Sequence, residues 1–166
     1  MPIKHLIHHD LRLVWAEAQG IITAEDLFEY QRTVWARPDI AGYDELVDMT
    51  AVSDIPAPSP DKIQALAALS VAMDPPASRS RFAIVAPDDL AYGLGRMYQT
   101  HRGLASNTAK EVGVFRTVQA GLDWLGLPAP PAPQLPQPAE DIAGPPGNAE
   151  AESSLSGDRG GAIGGA

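Results

Sequence analysis

Arg81-Phe82-Ala83-Ile84-Val85-Ala86-Pro87-Asp88-Asp89 joins five consecutive apolar residues to a proline and two acids. An unbroken apolar run of this length reads as a strand covered on both faces, as in a parallel sheet. Proline followed by acids reads as the opening of a helix, with Asp88 or Asp89 at its positive end. A buried strand running straight into a helix is the unit of an α/β fold.

The same unit recurs on either side. Upstream, Ser59-Pro60-Asp61 is a strong helix start: a serine cap, proline in the first turn, then an acid. Ile63, Leu66, Ala67, Leu69, Ser70 and Met73 follow at helical spacing, and Asp74-Pro75-Pro76 closes that helix. Before it, Glu45 to Thr50 reads as a strand and 51–58, with Pro56 and Pro58, as a loop. Downstream, the helix opened at Asp88 runs to about Arg102, Lys110 to Arg116 is a strand, and Thr117 caps a short helix with Val118, Leu122, Leu125 and Trp124. At the start, Ile3 to Ile7 and Leu11 to Ala18 form a hairpin around His8-His9-Asp10. Thr23 caps a helix over 24–36, with Leu27, Tyr30, Gln31, Val34 and Trp35 facing inward, and Pro38 stops it. The order is ββαβαβαβα: one α/β domain with a mainly parallel five-stranded sheet and a leading antiparallel hairpin.

Composition sets the outer limits. The chain has 166 residues with 12 Lys+Arg against 21 Asp+Glu, a net charge of −9, and no cysteine. The acidic balance argues against nucleic acid or anionic lipid as the main partner. Without cysteine there is no disulfide framework, thiolate metal site or thiol nucleophile. No run approaches the roughly 18 apolar residues of a membrane helix, and no secretory signal stands at the start, so membrane insertion is not expected and the cytoplasm is. Residues 128–166 hold 8 of the 16 prolines and 7 of the 15 glycines, with no aromatic residue. That segment reads as a disordered, Pro/Gly/Ala-rich acidic tail, and 1–127 as the domain.

With its leading hairpin, this element order resembles the STAS superfamily, and more narrowly its SpoIIAA-like (STAS/SEC14 domain) branch. The resemblance rests on Tyr43 to Thr50, Arg81 to Asp89, Gly95-Arg96-Met97-Tyr98 and Glu111 to Arg116. It implies a non-enzymatic regulatory or protein-binding module, with a small apolar-ligand carrier or sensor as the alternative. Relatives carry Asp-Ser-Ser/Thr-Gly at the start of the second helix. The matching positions here are Asp48, Met49, Thr50 and Ala51, so the resemblance puts Thr50 on a phosphoacceptor. Ala51 departs from the glycine, and the eight-residue loop 51–58 precedes the next helix cap at Ser59. A phosphate on Thr50 would also face Asp48 and Asp54.

Candidate ligand or partner residues are those at the carboxyl ends of the strands and on the helix that follows: Asp48, Thr50, Ser53, Ser59, Asp88, Arg96 and Tyr98. In α/β sheets that rim is where ligands bind. Arg96, Tyr98, His101 and Arg102 read as an exposed polar helix face, with Tyr98 and Arg102 neighbours at a spacing of four. Gly93 and Gly95 lie inside the helix, where they allow close packing or leave room for an apolar ligand. His5, His8, His9 and Asp10 hold metal-ligating groups, but they read as a solvated turn, and no metal or other cofactor is expected. No nucleophile–base motif appears, so no catalytic residue is expected. The expected partner is a protein or a small ligand, and a homodimer is open.

Overall fold

A computed structural model describes residues 2–57, 59–76, 78–105 and 108–130. The chain divides into units Met1–Gln134 and Leu135–Ala166. The second unit, and with it almost all of the expected tail, lies outside the described residues; Pro128, Ala129 and Pro130 are exposed.

The strands are β1 (Ile3–His8), β2 (Leu13–Ile21), β3 (Asp44–Asp54), β4 (Ser80–Val85) and β5 (Lys110–Phe115). The helices are α1 (Ala24–Val34), α2 (Pro60–Met73), α3 (Asp89–Gly103) and α4 (Val118–Leu125). A short 3-10 turn at Pro38–Ile40, absent from the expected elements, leads into β3. The sheet order is β1-β2-β3-β4-β5, antiparallel for the first pair and parallel for the rest. The expected fold class is therefore the observed one.

Strand order running steadily in one direction, with crossovers of one hand, puts every crossover helix on the same face. The core follows this rule. Tyr30 and Val34 of α1, Ile63 and Ala67 of α2, and Ala91 and Tyr98 of α3 bury against Val14, Ala16, Val47, Phe82, Ile84, Val112 and Val114. Leu122 and Leu125 of α4 cover the opposite face, against Leu13, Trp15, Leu46, Ala83 and Val85. Alternate residues of β4 thus enter different cores, which explains its unbroken apolar run. Gly121 brings α4 down on the sheet: a Cβ there would lie 3.2 Å from Val85 Cγ2.

The largest differences from the expected boundaries are in β2 and β3. The second strand starts at Leu13 rather than Leu11, because the turn spans residues 9–12 and Arg12 takes φ 50°. His8 is consequently a buried strand residue, 3% exposed, and not part of a solvated turn. The third strand continues to Asp54, through residues expected to form a loop, because β2 extends to Ile21 and pairs with it (Gln19 with Ala51, Gly20 with Val52, Ile21 with Asp54). The register shifts between Glu17 and Gln19, where β3 carries one extra residue. That bulge resets the alternation, so that Met49 and then Val52 pack against the helix-covered core.

Candidate functional site

Five of the seven expected site residues have local partners that account for them. Ser59 caps α2, accepting from Lys62 N at 3.4 Å. Asp88 caps α3, its Oδ1 accepting from Leu90 N at 2.9 Å and Ala91 N at 3.2 Å. Asp48 Oδ1 accepts from both the backbone and the hydroxyl of exposed Thr50. Thr50 therefore stands inside β3 and not at the start of α2. Ser53, expected in a loop, is an exposed strand residue. Strand alternation turns Asp48 to the same face as Leu46, the α4 side, and Val47 and Met49 to the side of α1, α2 and α3.

Arg96 and Tyr98 are separated by the helix itself, since residues two apart do not share a face. Arg96 is exposed and donates to Gln99 Oε1 at 2.8 Å. Tyr98 is 6% exposed and Arg102 only 1%. The expected exposed polar face is thus wrong for these two: their four-residue spacing points both into the protein. Gly95 packs on the sheet, where a Cβ would lie 3.1 Å from Val114 Cγ1, while Gly93 faces open space.

Where α1, α2 and α3 meet the sheet they leave a cleft of about 110 Å³. Leu27 of α1, Ile63 and Leu66 of α2, and Ala91 and Leu94 of α3 form its sides. Val47, Phe82 and Ile84 supply the sheet side. Ile55, Pro56, Ala57 and Ser59, between β3 and α2, border it at the carboxyl end of the sheet. The rim was the expected place, but its apolar residues line the cleft and its acids do not.

Polar groups lie along one part of the cleft, paired with one another. Tyr30 donates to Glu45 Oε1 at 2.9 Å, and Trp35 Nε1 donates to the same oxygen at 3.0 Å. Lys110 Nζ lies 3.5 Å from Glu45 Oε2 and 3.6 Å from the centre of the Trp35 ring. Tyr98 donates to Ser70 Oγ at 2.9 Å, which donates to Gln31 Oε1 at 3.0 Å. Burial, with Glu45 nearby, raises the Tyr30 hydroxyl well above its ordinary range. Burial also pushes Tyr98 up to about 12. Both phenols are neutral at physiological pH. Burial lowers the Lys110 ammonium, while Glu45 works in the other direction.

This network was not among the expected site residues. A signal existed: Tyr43, Glu45, Val47 and Met49 alternate onto one strand face, which makes Glu45 a charge on an apolar side. The histidines do not converge. His9 Nδ1 lies 2.9 Å from Tyr43 Oη, and His5 meets the Tyr30 ring edge-on at 6.4 Å. Among the described residues no three His, Asp or Glu side chains form a metal-binding group. No described helix is long and apolar enough to cross a membrane.

No family model matches this chain, and no curated protein matches it. A solved structure, described as an uncharacterised protein of the DUF3478 family with a SpoIIAA-like fold from Shewanella loihica PV-4, is similar to it. The identity is 20%, over 74% of this chain and 93% of that one, with a TM-score of 0.47.

Proposed function

We propose that this protein is a non-enzymatic binding module whose occupant is a small apolar group held in the cleft between α1, α2, α3 and the sheet. The observation that carries the reading is the cleft's lining: mostly aliphatic and aromatic carbon, with Tyr30, Gln31, Glu45 and Tyr98 hydrogen-bonded to neighbouring side chains, and with Ser59 and Lys62 also among the lining residues. Such a wall offers dispersion and desolvation to an apolar guest. Volume sets the class of ligand. Drug-sized ligands occupy about 300–1,000 Å³, whereas an apolar cavity of about 150 Å³ admits benzene. At about 110 Å³ the cleft suits a single ring or a short branched chain, alone or as the end of a larger molecule. A whole lipid does not fit that volume. Contact with a protein partner is the second form of the reading, favoured by Leu90. This residue is 43% exposed in the first turn of the helix that supplies Ala91 and Leu94 to the cleft.

The test is calorimetric melting of the full chain with and without benzene, beside the Ala91→Leu variant. Ala91 is 3% exposed and lines the cleft, so a leucine there fills it. At ten times its Kd, benzene should raise the wild-type Tm by roughly 5 °C, and the variant should not respond. An unresponsive wild type, or an equal rise in the variant, would show that the cleft takes no such guest.

A further inference from the structure

The strand β1 is an edge of the sheet, and its pairing with β2 shows which of its backbone groups are spent. Pro2 O accepts from Gln19 N at 2.8 Å, in register with the pairs from Ile3 with Ala18 to His8 with Leu13. Antiparallel ladders alternate hydrogen-bonded pairs with non-bonded ones. Lys4, Leu6 and His8 therefore bond to β2, whereas the N–H and C=O of Ile3, His5 and Ile7 point away from the sheet.

An outward row of this kind is a template for another strand, and proteins blunt it. The opposite edge is blunted: Gln99 Nε2 of α3 donates at 2.7 Å to the carbonyl of Val112, which points away from β4. Among the described residues no side chain does the same on β1. The helices also leave that edge room. Tyr30 reaches from His5 on β1 to Glu45 on β3, which sets α1 over β2, and α4 packs on β3, β4 and β5. His5 and Ile7 are half-buried. Leu6, paired with Trp15 on the α4 side of the sheet, is 41% exposed.

We propose that a second copy of this chain pairs with β1, antiparallel about a two-fold axis at Leu6, so that the two sheets become one. In this register His5 and the partner's Ile7 form a hydrogen-bonded pair, and Ile7 and the partner's His5 form another. Leu6 and the partner's Leu6 stand between them in a non-bonded pair, where side chains approach most closely, so the exposed leucine is covered by its own counterpart. Like charges do not meet, since Lys4 falls opposite the partner's His8. A two-fold interface of this kind is self-complementary and closes at the dimer. Residues 128–166 are a poorer occupant of the edge. They hold 8 prolines, which lack the N–H a ladder needs, and Ile142 and Ile163 are their only β-branched residues. The proposal does not depend on an occupant in the apolar cleft.

The test is sedimentation equilibrium of the full chain from micromolar to near-millimolar concentration, with amide exchange followed by NMR on the same samples. A monomer–dimer equilibrium is expected, and exchange at His5 and Ile7 should slow about tenfold or more at the concentrated end. His5→Pro removes an outward N–H without touching a bond to β2, and should weaken the dimer about tenfold or more. The chain has no cysteine, so Leu6→Cys reads the register: paired Cα atoms about 4.5 Å apart suit a disulfide, and mild oxidation should link this variant and not Lys4→Cys. A chain that stays monomeric throughout overturns the proposal. So does a dimer whose His5 and Ile7 amides exchange as they do in dilute solution, or a Leu6→Cys chain that links no faster than Lys4→Cys. Protection of those amides at every concentration also overturns it, because the chain then covers its own edge. The wild-type measurements decide the matter even where a variant fails to fold.

Discussion

Glu45 is the most consequential single side chain in the interior. It accepts from Tyr30 and Trp35 and balances Lys110 while almost fully buried. Removing one member of a buried ion pair strands the other without compensation. Glu45→Ala should therefore lower unfolding free energy by about 3–5 kcal/mol, read by urea denaturation. A loss below about 1 kcal/mol would mean that Lys110 finds another partner or reaches water. The tyrosines give a pH dependence whose sign is settled. Tyr98 keeps its proton to about 12 when folded, against an ordinary 10. Its contribution is complete below pH 10 and is lost as pH rises toward 12. Tyr30 acts in the same direction. Lys110 opposes them: its lowered folded value makes its contribution grow as pH rises toward 10.5. Tyr98→Phe should flatten the fall in stability between pH 10 and 12, and an unchanged slope would remove Tyr98 as its source. Little of this was legible beforehand. Tyr98 and Arg102 were read as surface residues because they share a helix with Arg96 and His101, and composition alone does not say which face turns inward.

At the scale of elements, much more was readable. Thr23, Ser59, Asp88 and Thr117 all cap the helices they were expected to start. A cap is a local interaction between a side chain and an amide two or three residues on, so it needs no tertiary knowledge. Asp88→Ala should cost about 1 kcal/mol, and Asp88→Asn almost nothing, measured by chemical denaturation. Equal losses for both would assign Asp88 a role through its charge. The long third strand was not readable for the converse reason. Of Ala51, Val52, Ser53 and Asp54 only Val52 favours a strand on its own; pairing with Gln19, Gly20 and Ile21 makes the segment one. The central strands test the sheet assignment. Leu46 and Ile84 are 0% and 6% exposed and belong to opposite cores. Leu46→Ala and Ile84→Ala should each cost about 2–5 kcal/mol, and a loss under about 0.5 kcal/mol at either position would contradict the packing described.

Among the described residues the fold is a sheet of consecutive strand order, antiparallel for its first pair and parallel for the rest, with three helices on one face and a single helix on the other. Three helices abreast do not close perfectly on a twisted sheet, and the cleft is the gap they leave. The candidate site was legible as a location and not as chemistry. The β3–α2 loop and α3 were the expected surface; both border the cleft, with Ile55, Pro56, Ala91 and Leu94 and without Asp48, Thr50 and Ser53. Polar residues draw attention in a sequence because their chemistry is nameable, whereas an apolar cleft is written in residues indistinguishable from core. The central claim is that this space is a dry, accessible apolar site, and xenon tests it without help from any polar contact. A crystal pressurised with xenon should show a xenon peak between Leu27, Ile63, Leu94 and Ile84; a crystal with xenon bound elsewhere and none in that space would contradict the account.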